Sequence, residues 1–191
     1  MIVNICEEGE VRFERSLKAK RLRLTVSLDS VRVSIPKGVS LETAKAFAEE
    51  HTEWIRHHAG RLKKRQELGM HLVSALPAAM DPEEARQKII YRCRLLSMET
   101  GLGFSRLTIR EQKTRWGSCS STNAISLNIA LARLPQHLMD YVILHELVHT
   151  RVRGHGPRFW KELDRYVGNS RMLSRELRRY PISSVLNSSW R

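Results

Sequence analysis

At 191 residues the chain is long enough for one ordinary domain, or for a small domain with an appendage, and either can bury an adequate core. Hydrophobic residues make up 41% and charged residues 28%, with no apolar run near the roughly 20 residues that cross a bilayer, so a helical membrane protein is excluded. Lysine and arginine outnumber acids 33 to 20, for a formal net charge of +13, which favours encounter with polyanions without naming one. The opening MIVNICEEGE has acids where a secretory signal carries bases, which places the protein in the cytoplasm as an expectation. Cys6, Cys93 and Cys119 are widely spaced, odd in number and free of any CxxC pair, so neither a disulfide framework nor a cysteine metal site is expected.

From Arg21 to Ile35 apolar residues alternate with polar ones: Leu22, Leu24, Val26 and Leu28 on one side, then Val31, Val33 and Ile35 after Asp29-Ser30. That period predicts a β-hairpin with one buried face, although Asp-Ser lacks the glycine a tight primed turn prefers. Ser40 is placed to cap a helix from Leu41 to about Gln66, with a stripe that includes Ala44, Phe47, Ala48, Trp54, Ile55 and Leu62. Gly69 to Met80 has no clear period and reads as a connector or irregular helix. Asp81-Pro82-Glu83-Glu84 is a strong start signal for a helix to Thr100, stopped by Gly101. Phe104 to Arg110 reads as a strand, and Trp116 to Cys119 with Ala124 to Leu131 as a second hairpin. Further helices are expected after Leu134-Pro135, from Pro157 to Val167, and around Arg171 to Arg179, with a loosely held tail from Ser183. Basic clusters occur at Lys18, Lys20, Arg21 and Arg23, at Arg61 to Arg65, and at Arg171 to Arg179; each reads equally as a solvated face or a nucleic-acid footprint.

The helix after Pro135 carries His145-Glu-Leu-Val-His149, and His155 follows. Four residues apart on a helix, His145 and His149 share one face and can offer two nitrogens to one ion. Leu138, Met139, Tyr141, Val142, Ile143, Leu144, Leu147 and Val148 make the helix apolar around nearly its whole circumference, so polar groups within it need a partner or a metal. On an unbroken helix His155 would sit about 80° from His145 and could not join it. Gly154 and Gly156 flank it, and a glycine in the left-handed conformation can end the helix and fold the chain back. His155 then becomes a third ligand, leaving an open tetrahedral Zn2+ site of the catalytic kind. Glu146 stays off the metal as general base for metal-assisted hydrolysis, most simply of a peptide bond.

RWGSCSSTNAISLN at Arg115 to Asn128, DYVILHELVH at Asp140 to His149 and HGPRFW at His155 to Trp160 together resemble the YgjP-like metallopeptidase family, related to the SprT-like and WLM zinc proteases. The resemblance spans nearly the whole chain and implies zinc on His145, His149 and His155, with Glu146 as catalytic base. It implies an α+β fold: a minimal zincin-like core at 81–182, preceded at 1–68 by an N-terminal β-hairpin and long helix. It also implies that Ala124 to Leu131 is an edge strand aligning an extended polypeptide substrate. Trp116 to Cys119 reads as cleft support or, more simply, as a packed hairpin. The spacing also fits metzincins, except that Val152 stands where their glycine would be; Met172 is then a candidate methionine turn. Cys119 is a candidate inhibitory thiolate, Tyr166 a candidate oxyanion partner, and Glu162 or Asp164 candidate orienters of a ligand. SprT-like relatives add DNA, or another polyanion, as an expected partner. The alternatives are a zinc-dependent nucleotide or phosphoanhydride hydrolase and a noncatalytic DNA-binding module.

Overall fold

A computed structural model describes residues 2–6, 9–77 and 80–187, with the backbone alone for residues 2–6 and 9–10. Helices and two small sheets give the expected α+β class, in two compact units, one up to Glu67 and one from Leu68. Among the described residues no helix is long and apolar enough to cross a membrane.

The first unit holds β1 (Ile2–Cys6), β2 (Gly9–Arg15), β3 (Arg23–Val26), β4 (Val31–Ile35), α1 (Leu41–Glu50) and most of α2 (Thr52–Ser74). The predicted hairpin is present: β3 and β4 pair antiparallel with Val26 opposite Val31. Serine replaces the missing glycine chemistry at its turn, where Ser27 N–H donates to Ser30 O at 2.9 Å and Ser30 N–H to Ser27 Oγ at 3.2 Å. Leu28 lies in that turn and is 43% exposed, so it does not continue the buried face. The hairpin is half of a larger sheet in the order β1-β2-β4-β3, with β2 parallel to β4. Only Val11 and Phe13 among charged neighbours mark β2 in the sequence, and both are buried with Val31, Val33 and Ile35 against Ala44, Ala48 and Ile55.

The expected single helix from Leu41 breaks at His51. His51 Nδ1 donates to Phe47 O at 2.8 Å and Thr52 Oγ1 to Glu49 O at 2.7 Å, so side chains take carbonyls that the helical ladder would use. Beyond the break α2 continues through the supposed connector to Ser74, and Trp54 stacks on His58 at 3.9 Å, half-exposed, instead of joining the core.

In the second unit α3 (Pro82–Thr100) starts where Asp81 Oδ1 accepts the Glu83 and Glu84 N–H groups at 2.8 and 3.3 Å, and ends at Gly101 with φ 67°. β5 (Arg106–Arg110), β6 (Gly117–Cys119) and β7 (Ala124–Asn128) form a sheet in the order β5-β7-β6. β7 is therefore central, and the edge beside the functional helix is β6, which corrects the assignment of the edge strand to Ala124 to Leu131. Asn128 explains both this order and the early end of β7. Its amide donates to Gln112 O at 2.6 Å and Arg115 O at 2.9 Å, drawing in the segment that leads to β6, while its Oδ1 accepts Ala130 N–H at 3.1 Å and starts a 3-10 turn at Ile129–Arg133.

α4 (Gln136–Val148) runs through the centre of the unit, buried on nearly every side, and α5 (Pro157–Val167) and α6 (Ser170–Leu177) pack on it. The tail is not loose as far as Asn187. It forms α7 (Ile182–Asn187), which buries Val185 and Leu186, and residues 188–191 lie outside the described residues. Arg133, buried, donates to Val185 O at 3.1 Å and Pro77 O at 2.9 Å and so ties α7 to the chain after α2.

Candidate metal centre

α4 presents His145 and His149 on one face, and the chain leaves the helix at His149 and turns back through Gly154, whose φ is +74°. Gly156 has φ −72° and needs no glycine freedom, so Gly154 alone makes the reversal expected of the pair. The return brings His155 Nε2 to 2.9 Å from His145 Nε2 and 3.1 Å from His149 Nε2.

These separations fit one ion. Nitrogens at about 2.0–2.1 Å from a tetrahedral zinc lie about 3.3 Å apart, within a few tenths of what the rings show. The protons fit as well: Val152 O can only accept, so His149 Nδ1, at 3.1 Å, carries the hydrogen and its Nε2 keeps a lone pair facing the other rings. Burial, reinforced by the neighbouring rings, pushes His145 down to about 3, and burial lowers His149 too, so both rings are neutral donors. A cation among the three nitrogens would accept a lone pair from each ring.

The histidines stand on Phe159, fully buried on α5. Its ring centroid is 4.8, 4.4 and 4.8 Å from those of His145, His149 and His155. Trp160 Nε1 donates to His155 O at 2.8 Å and holds the returning loop. The floor of the centre is thus an aromatic pair from HGPRFW. Met172 is 56% exposed on α6 and forms no methionine turn there.

Glu146 reaches toward Gly117 of β6, is 6% exposed, and lines with the three histidines a cavity of about 350 Å³. Burial pushes its carboxyl up to about 7 against the opposing pull of Arg115. Its position depends on a residue with no side chain. A Cβ on Gly117 would lie 2.7 Å from Glu146 Cγ and 2.8 Å from Oε1, inside van der Waals contact.

Arg153, in the loop between α4 and α5, clamps the β6–β7 turn. It donates to Ser120 O at 2.6 Å, to Ser121 O at 3.1 Å and to Asn123 Oδ1, and that turn holds Asn123 at φ 61°. Cys119 Sγ lies 3.6 Å from the same guanidinium and lines the cavity, but outside the histidine cluster. Burial raises its pKa, with Arg153 opposing, so the thiol stays protonated near neutral pH. Tyr166 donates to Glu162 at 3.1 Å, which occupies both on α5. Asp164 accepts Ser170 N–H at 2.8 Å and serves the start of α6. The sequence gives Phe159, Asn128 and Arg153 no individual role in the site, and it marks Gly117 only within Trp116 to Cys119, as cleft support or a packed hairpin; the structure puts Gly117 against Glu146.

Comparison with known proteins gives three results. Curated proteins yield no match. Two solved structures are similar over about half of the chain: the crystal structure of the metallopeptidase zymogen jannalysin of Methanocaldococcus jannaschii (24% identity, TM-score 0.41, 47% of this chain and 92% of that one) and that of the metallopeptidase zymogen abylysin of Pyrococcus abyssi (18%, 0.42, 54% and 99%). The YgjP-like metallopeptidase domain matches residues 20–78 and 78–180, which takes in β3 and β4 of the first unit's sheet, β6, the histidine helix and the aromatic floor, and by that match the chain belongs to the YgjP-like metallopeptidase family.

Proposed function

We propose that this metallopeptidase holds zinc on the Nε2 atoms of His145, His149 and His155 and uses Glu146 as its general base against extended polypeptide. The observation that carries the reading is the convergence of three imidazole nitrogens beside a buried carboxylate in one cavity. When bound, the ion supplies Lewis acidity, lowering the pKa of water and polarising a carbonyl oxygen.

Glu146 does the proton work. Its carboxylate accepts a proton from the water that attacks the carbonyl carbon and returns it to the amide nitrogen as the C–N bond breaks. Burial favours the protonated form of this carboxyl, which suits a group that takes up a proton and then gives it back. β6, unpaired on its outer side among the described residues, offers main-chain groups to an extended substrate, so affinity comes from backbone pairing with weak side-chain selectivity. The net charge of +13 supports nucleic acid as a second partner, bringing the peptidase to polypeptides held there.

The test is elemental analysis with a peptide assay. The purified chain should carry about one zinc, and Glu146→Gln should keep it while hydrolysis falls roughly 10²–10⁴-fold. Hydrolysis retained in that variant removes Glu146 from the mechanism, and zinc retained after His149→Ala with His155→Ala removes the ligand set.

A further inference from the structure

The first unit contains a concavity of about 510 Å³ that no part of the peptidase reading uses. It lies where the chain passes from β2 to β3, and Lys18, Lys20, Arg21 and Arg23 line it together with the hydroxyls of Ser16 and Ser34. We propose that this cradle seats the phosphodiester backbone of a nucleic acid, which gives the nucleic-acid association proposed above a specific site.

Three observations distinguish the cradle from an ordinary solvated basic face. The first is the missing countercharge. Several exposed arginines elsewhere do sit near acids: Arg56 by Glu53, Arg86 by Glu83, Arg165 by Glu162 and, in the same sheet, Arg32 by Glu14. No carboxylate lines this concavity, and none of its four cations takes part in an ion pair among the described residues. The second is convergence. The cations come from the β2–β3 connection and from β3 itself, and Ser34 stands opposite Arg23 across the β3–β4 pair, so sheet register brings a strand cation and a hydroxyl into one wall. Like charges collected in this way repel until an anion joins them. The third is shape. Ammonium, guanidinium and hydroxyl donors gathered along one concavity match a projecting ridge of phosphates. Such contacts hold a backbone without reading its sequence.

Counterion release makes the site measurable. Each phosphate neutralised by lysine or arginine contributes about 0.9 to the slope of log Kobs against log salt on duplex DNA, and about 0.7 on a single strand. The full chain is titrated with fluorescent duplex and single-stranded oligonucleotides across a salt series. It is compared with Lys18→Gln/Lys20→Gln/Arg21→Gln/Arg23→Gln and with a control of equal charge loss, Arg61→Gln/Lys63→Gln/Lys64→Gln/Arg94→Gln. All four cradle residues are exposed, so folding should survive, and circular dichroism with hydrolysis of a short peptide verifies it.

The cradle variant should lose roughly 3–4 units of slope on duplex and bind at least about tenfold more weakly, with peptide hydrolysis unchanged and the control losing much less. Equal losses in the two variants, or none in either, with a wild-type chain that binds, overturn the cradle and leave the nucleic-acid partner standing. A wild-type chain that binds no oligonucleotide even at low salt overturns both. Binding only to phosphatidylserine vesicles, or displacement by inorganic phosphate as readily as by oligonucleotide, reassigns the pocket to a lipid headgroup or to free phosphate and overturns the strand.

Discussion

Gly117→Ala adds one methyl group to β6 and tests how the base is held. The added carbon meets Glu146 Cγ at 2.7 Å, Oε1 at 2.8 Å and Cδ at 3.0 Å, where carbon atoms in contact rest about 3.5–4.0 Å apart. The overlap is therefore about 1 Å on the side chain proposed as general base. β6 is pinned through β7 and, on its approach, by Asn128, while α4 is buried almost all round, so neither backbone can retreat cheaply and the carboxylate must swing away. Overpacking of this kind costs about 1–3 kcal/mol of stability, and misplacing a catalytic group by about 1 Å costs on the order of 10²-fold in rate. Steady-state kinetics on a peptide should show kcat falling about 10²-fold with KM little changed, while zinc content stays near that of the wild type because no ligand is touched. Pairing the change with Glu146→Asp, which withdraws the carboxylate by one carbon, should cost much less than the product of the two single losses. Wild-type kcat in Gly117→Ala, or independent losses in the double variant, would refute the steric coupling.

Phe159→Leu should unfold at slightly lower denaturant, by under about 1.5 kcal/mol, yet weaken zinc about 10-fold or more in a chelator competition, because three imidazoles lose the face they rest on. Arg92 holds Asp140 in a two-pronged ion pair at 2.7 and 2.8 Å between α3 and α4, both side chains about one-fifth exposed. Arg92→Ala should cost roughly 1–2 kcal/mol in urea unfolding after allowance for solvent screening. Burial pushes Cys93 up to about 12 and raises Cys119 less, so peptide mapping after iodoacetamide near neutral pH should find Cys93 unlabelled in the folded chain. Cys119 should react more slowly than a free thiol, at a rate that climbs as the pH is raised; rapid labelling of Cys119 at neutral pH contradicts its environment.

Much of the local structure was legible because it rests on short-range chemistry. The Asp81-Pro82 start, the Gly101 stop and the Arg23–Ile35 hairpin each follow from neighbours a few residues apart. The break at His51 was missed although it is local, because it depends on where two side chains send their hydrogen bonds and not on hydrophobic period. β2 was missed because its two apolar residues become informative only once β4 lies alongside. Edge and centre were exchanged between β6 and β7 because strand order is set by Asn128 holding a loop well before it in the chain, and no periodicity encodes that.

At the site itself, sequence alone determined which residue types stand one turn apart on a buried helix and where a glycine lets the chain reverse, since helical pitch and backbone freedom act within a few residues. Only the tertiary structure decided that His155 closes on the other two, that Phe159 carries all three rings, and that Gly117 leaves the room in which Glu146 sits. Those are contacts between elements, fixed by packing in three dimensions, and packing distances are not written in the spacing of letters along one strand or one helix.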